Sequence, residues 1–356
     1  MATLTETARI TRTGIVGLIV FIVLIGTGTI IWQLTPVSQP PTIIVPTPTP
    51  ESRFGLLPPI QFPANKEFPL NLKLETIEGG PPISTTSAYV YFVPEKAPNL
   101  FSRRNAEKLA ADLGFTDTPK DLSTTKIAYT NSNGDTLSID ITTKNFTLKR
   151  TIRETRDEQP NTTSSTMPTE AKLATTAQSY FATHIDWDQN LTESYVTYYQ
   201  KSGTSLTKLP STTGADFVRV DFLPAQLGGW PIVTGEEKTS DIYIVFSPFT
   251  SRDVSVVEAS YQNFPPDLLY PSTYGTISGQ QAWDKLQSGG GYIAVPAGQQ
   301  VTVREGQMAY FLSSGYHPYI QPVYVFEGDR GFMALVPAID PAWLGTSTNN
   351  SQKSTP

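Results

Sequence analysis

The chain has 356 residues, 26 basic and 32 acidic, a formal net charge of −6 and no cysteine. The acidic balance argues against a nucleic-acid partner, which needs a basic footprint, and against tight docking on anionic lipid heads. The missing cysteine excludes a disulfide scaffold, thiolate metal sites and a cysteine nucleophile.

Residues 15–34 read IVGLIVFIVLIGTGTIIWQL, opened by Ile15, closed by Leu34 and free of charge. Twenty residues at about 1.5 Å rise span about 30 Å, the hydrocarbon thickness of a bilayer. In lipid every backbone group must bond internally, so a helix is the available state. Arg9 and Arg12 precede the run and no charge follows until Glu51. The positive-inside rule therefore predicts a cytoplasmic stub over 1–14, a transmembrane helix over 15–34 and the bulk of the chain outside the cell membrane. The rival, a cleaved signal peptide, fits less well: the run is long for an h-region and no Ala-x-Ala site follows.

Residues 35–63 hold nine prolines, the composition of an extended polyproline stalk. Residues 64–152 then predict a first α+β module. AYVYFV (88–93) reads as a strand by its aromatic and β-branched content. Ser102 is a candidate N-cap, Ala106, Leu109, Ala110 and Leu113 form a helical stripe, and Gly114 sits where a helix stops. Strands follow at 126–130 and around Leu137, Ile139, Ile141, Phe146 and Leu148, with a hairpin turn at Asn131–Gly134.

The polar run 153–167 predicts a boundary, and 168–343 a second α+β region. Pro168 suits a first helical turn, with Leu173, Ala174, Ala177 and Phe181 on one stripe. Strands are expected at 195–199, 217–222, 242–246 and 254–261. Val218, Val220 and Phe222 alternate with Arg219 and Asp221, the pattern of a half-buried strand. Ser278 and Gln281 make a capping box for a helix over 279–288, ended by Gly289. Strands at 308–312, 320–326 and 332–339 close the fold, and 344–356 reads as a disordered tail.

Several motifs invite chemistry. His184-x-Asp186-x-Asp188 lacks the further ligands a zinc site wants. Asp186-x-Asp188-x-Asn190 opens like a calcium loop but has Leu191 where Gly is needed and Thr197 where Glu is needed; a polar turn is the default. His317-Pro318 reads as loop. Ser123-x-x-Lys126 and Ser205-x-x-Lys208 lie in polar sequence without the helix that nucleophile chemistry requires. Glu236-Glu237 reads as a solvated pair and Gly289–Gly291 as a helix stop. No cofactor, metal or catalytic residue is assigned. Tyr310, Tyr316, Tyr319 and Tyr324, with Phe326 and Phe332, crowd the last strands. Core packing is their default reading; the alternative is an interaction surface, for glycan or peptide.

SRRNAEKLAADLGF followed by DTLSIDITTKNFTLKR resembles the PepSY-like pattern, a helix with paired alanines and then strands ending in an Ile-Asp turn. TYGTISGQQAWDKLQSGGG and YIQPVYVFEGDRGFMALVPAI are similar to the helix and closing strands of another such module. The likeness covers about 87–152 and 168–340. Asp140 matches the signature's aspartate, while Lys144-Asn145 replaces its turn glycine. The whole layout resembles YycI/YycH-type extracytoplasmic regulators, a single N-terminal anchor followed by repeated PepSY-like modules. That resemblance implies a non-enzymatic regulatory role, exercised by binding another envelope protein. A cell-envelope glycan binder or hydrolase using the C-terminal aromatics is the alternative; a hydrolase would need two carboxyls such as Glu305, Glu327 or Asp329 facing each other in a cleft.

Overall fold

The computed structural model describes residues 50–64, 68–69, 71–151, 167–202, 205–250 and 253–345. The expected transmembrane helix (15–34), the stub before it, the first part of the stalk and most of the 153–167 boundary lie outside the described residues. Among those residues no helix is long and apolar enough to cross a membrane. The expected α+β class holds: among the described residues three α-helices accompany two large sheets.

In chain order the first half runs β1 (Asn71–Leu74), β2 (Ser87–Phe92), α1 (Ser102–Asp112), β3 (Lys120–Asp121), β4 (Lys126–Thr130), β5 (Thr136–Asp140) and β6 (Phe146–Lys149). Next come α2 (Glu170–His184), β7 (Glu193–Ser202), β8 (Ser205–Leu209), β9 (Phe217–Leu223), β10 (Gln226–Leu227), β11 (Trp230–Thr234), β12 (Ile242–Thr250) and β13 (Asp253–Tyr261). The chain closes with β14 (Ser272–Gly275), α3 (Gly279–Gln287), β15 (Tyr292–Val295), β16 (Gln300–Leu312), β17 (Tyr319–Gly328) and β18 (Phe332–Pro337).

One sheet has nine strands in the order β3-β4-β5-β6-β13-β12-β9-β7-β8, every neighbour antiparallel. α1 and α2 supply the apolar cover of its core: Ala106, Leu109, Ala110 and Leu113 from the first helix, Leu173, Ala177 and Phe181 from the second. Phe181 is the hub, with Phe146, Tyr180, Trp187, Phe222 and Tyr261 around its ring. The pairing of β6 with β13 joins strands from either side of the boundary expected at 153–167, so the described residues of 64–152 and 168–343 share this sheet.

The other sheet is mixed, ordered β10-β11-β16-β17-β18-β15, with β1, β2 and β14 attached. The long β16 takes β1 as a parallel neighbour along its first residues and β11 along its last. On β17 and β18 the two faces part by residue parity. Tyr324, Phe326, Phe332, Ala334 and Val336 join Trp283 and Leu286 of α3. Val323, Val325, Met333 and Leu335 face the other way, where Ile60 and Phe62 pack. Burial on both faces explains why β18 reads as a continuous apolar run.

That second cover corrects the stalk expected through residue 63. The Phe62 ring stacks on Tyr292 at 5.1 Å and meets Phe311 at 4.9 Å. Leu57 is fully buried, its N–H donating to the Trp343 carbonyl at 2.9 Å. Leu57 also pairs with Leu344, so the expected tail does not begin at 344; residues 346–356 lie outside the described ones. Proline sets φ but does not forbid burial, and the apolar residues between the prolines find a sheet face that needs covering.

The helix stops and starts shift slightly. Ser102 is the first helical residue, not the cap; its Oγ accepts from the Asn99 N–H at 2.9 Å. α2 is capped by Thr169, one residue beyond Pro168. The Ser278–Gln281 capping box is present at α3, which ends at Gln287. β1, β3, β8, β10, β11, β14 and β15 were not legible, being short or polar.

Candidate functional site

A cleft of about 720 Å3 lies between the two sheets. Tyr199 on β7, Arg219 and Phe222 on β9, and Tyr243 on β12 come from the antiparallel sheet. Ile232 and Thr234 on β11, Phe311 and Leu312 on β16, and Tyr319 and Ile320 on β17 come from the mixed one. Loop residues Asp188, Glu236, Asp241, Asn263, Phe264 and His317 complete it.

Among the polar groups that line it is the Arg219 guanidinium. Nε and Nη2 grip the Asp221 carboxylate at 2.7–3.1 Å, Nη2 also donates to the Ser240 carbonyl at 2.9 Å, and Cζ stands 3.6 Å over the Tyr243 ring. Asp221 is fully buried and also accepts from the Ser240 N–H at 2.8 Å. Burial raises its carboxyl above the ordinary aspartate range, against the pull of Arg219. Burial, then the hydrogen bond to Glu258, raises the Tyr243 phenol, whose hydroxyl lies 2.6 Å from Glu258 Oε1. The expected half-buried pattern of β9 therefore fails at Asp221: the face predicted to meet water packs into this network.

Ser314, His317 and Asp241 sit together where the loop before β17 meets the start of β12, next to Ser240. Ser314 Oγ donates to the Asp241 carboxylate at 2.9 Å and the Gly315 N–H does so at 2.7 Å, while His317 Nε2 lies 3.2 Å from the Ser314 carbonyl oxygen. Nucleophilic catalysis needs the imidazole between serine and aspartate. Here the aspartate holds the serine directly and the histidine touches main chain, so the group braces the loop leading into β17 and joins it to the start of β12.

The other sequence candidates disperse. His184 packs edge-on to Tyr180, its Nδ1 buried without a partner, and burial lowers its pKa. Asp188 caps Asn190 and accepts from Asn263. Among the described residues no group of three or more His, Cys, Asp or Glu side chains could hold a metal ion. Ser123 Oγ accepts from the Lys126 N–H in a turn, and Ser205 and Lys208 lie on β8. Glu236 and Glu237 are exposed. Gly289 has φ +82° in the turn after α3. Glu305 and Glu327 face each other across β16 and β17, outside the cleft lining, and Asp329 pairs with Arg304 at 2.9 Å.

The four tyrosines split. Tyr310 and Tyr324 are buried, donating to the carbonyls of Tyr89 and Ile277, so they offer no interaction surface. Tyr319 is half-buried and lines the cleft; Tyr316 is exposed and meets Phe264 edge-on at 5.7 Å. Position could have separated them: Tyr310 and Tyr324 fall inside the strands expected at 308–312 and 320–326, whereas Tyr316 and Tyr319 lie between those strands. The Arg219–Asp221 pair left a signal too: opposite charges two apart on one strand face.

No protein-family model matches the chain, and no curated protein matches it. A solved structure titled as an uncharacterized protein from Eubacterium rectale ATCC 33656 is similar over 75% of this chain and 87% of that one, at 13% identity and a TM-score of 0.38.

Proposed function

We propose that the chain is a single-pass, outward-facing protein of the cell envelope that binds another envelope protein through the cleft between its sheets, without catalysis. The cleft carries the reading. Its volume of about 720 Å3 is in the range that receives ligands, and its walls mix apolar side chains with a few fixed polar groups. The uncharged run 15–34 behind Arg9 and Arg12 supports the anchored, outward orientation. α1 and α2, each followed by antiparallel strands and both covering one core, support a PepSY-like arrangement in which two helix-and-strand units share a sheet.

Ser313, half-buried in the cleft lining, gives the test. The full-length chain, solubilised from envelopes, is expected to bring down one stoichiometric partner, and Ser313→Trp is expected to cut recovery about tenfold by filling the cleft. Protease added to intact cells is expected to digest the body. Resistance to that protease, or recovery of no partner, overturns the reading.

A further inference from the structure

We infer that the loop 264–270 (FPPDLLY) rests in the lipid interface of the bilayer, a second membrane contact beside the point where the chain enters its folded body. The inference depends on the anchored reading above. Leu268, Leu269 and Tyr270 are 53%, 81% and 65% exposed, three consecutive apolar side chains of which Leu268 also lines the cleft while Leu269 and Tyr270 do not. Single exposed apolar residues are ordinary; a contiguous tip marks a contact surface. The loop is also held out on fixed supports. The Asp267 N–H donates to the Phe92 carbonyl at 2.8 Å, and Asp267 Oδ1 turns back to accept from the Leu269 N–H at 2.9 Å. Pro265 and Pro266 stiffen the approach.

The occupant follows from where the preceding chain arrives. Glu51 N–H donates to the Thr273 carbonyl at 3.1 Å, Arg53 N–H to Ser272 Oγ at 2.9 Å, and Arg53 Nη2 to the Pro271 carbonyl at 2.8 Å. The apolar tip is thus the immediate neighbour of the segment that leads back to 15–34. Fifteen proline-rich residues separate 34 from 50, a reach of about 45 Å at full polyproline extension, which leaves contact with the bilayer open. Arg53 and Glu51 pair at 2.9 Å and Asp267 is turned back onto the Leu269 N–H, so this strip carries one net negative charge and suits zwitterionic, not anionic, headgroups, with leucines for the acyl boundary and a tyrosine for the interface.

The chain has no cysteine, so Leu269→Cys carries one environment-sensitive fluorophore on the full-length protein in phosphatidylcholine nanodiscs. With nitroxide-labelled lipid the 269 label is expected to lose more than half its emission. A label at Ile77→Cys, 99% exposed and beside the end of β17 remote from β2, is expected to lose none. A chain that enters nanodiscs with an unquenched 269 label overturns this inference alone. A blue shift without quenching means that protein covers the loop, and overturns it too. A chain that fails to enter nanodiscs overturns the anchored reading and this one together.

Discussion

The two sheets are built on opposite principles. The antiparallel sheet draws its strands from 120–261 and joins most of them to a neighbour close in sequence, β4 to β5 to β6 and β12 to β13. The mixed sheet gathers β1 and β16 across more than two hundred residues, pairs β11 and β16 in parallel, and is finished by Leu57 and Phe62. Local pairing forms at low loop-closure cost; the second sheet carries the cost of long loops before its contacts form. The cleft between them is made of groups from both, so its shape depends on the slower sheet as much as on the faster.

The largest effects should come from removing one buried keystone from each sheet. Phe181→Ala takes the hub out of the ring cluster under α2 and should cost about 3–5 kcal/mol; Leu57→Ala should cost about 2–4 kcal/mol by the same cavity argument. Urea denaturation measures both. The second value sharpens the comparison, because a leucine in a solvated stalk would show a change near zero.

Next comes the polar joint of the cleft wall. Asp221→Ala leaves the Arg219 guanidinium, mostly withdrawn from water, without its carboxylate, at a cost of about 3 kcal/mol. Asp221→Asn should cost less, since the amide oxygen still accepts from the Ser240 N–H and from Arg219. Equal losses in the two variants would mean that the charge of the carboxylate, and not its shape or its accepting oxygens, carries the whole contribution.

How far the sequence disclosed this arrangement follows from the same contrast. α1, α2, α3 and the hairpin at Asn131–Gly134 carry caps, stripes and turn residues inside one short window, so each was legible within a residue or two. β11 (WPIVT) and β1 (NLKL) carry no such signal; they are strands because β16 offers them an edge. The prolines before residue 63 concealed a covering layer for the same reason: what recruits Phe62 is the far-off Tyr292 and Phe311. At the cleft, Arg219 and Asp221 obeyed the alternation rule of a solvated face and were buried by a loop, Ser240 and its neighbours, that no periodicity announces.

A smaller test concerns the turn after Asp140. The Asp140 carboxylate accepts from the Thr142 and Thr143 N–H groups, and Lys144 then takes φ +63°, a left-handed conformation that glycine adopts at less cost. Lys144→Gly relieves that strain but loosens the unfolded chain. We expect a net gain of about 0.5–1 kcal/mol, read as a higher urea midpoint.

The smallest effect separates the sheets by charge. Glu327 stands opposite Glu305 on β17 and β16, and burial first, then Glu305, raises its carboxyl above the usual glutamate range. A raised folded pKa means that the neutral form is favoured in the native state, so no penalty exists below about pH 4, where both states are protonated. The penalty appears as pH rises through the folded value. Glu327→Gln should therefore stabilise the chain by a few tenths of a kcal/mol at neutral pH, a modest figure because solvent screens the pair, and by nothing at pH 3.5. A gain that persists in acid would assign the effect to packing against the β16–β17 ladder and not to the facing carboxylates.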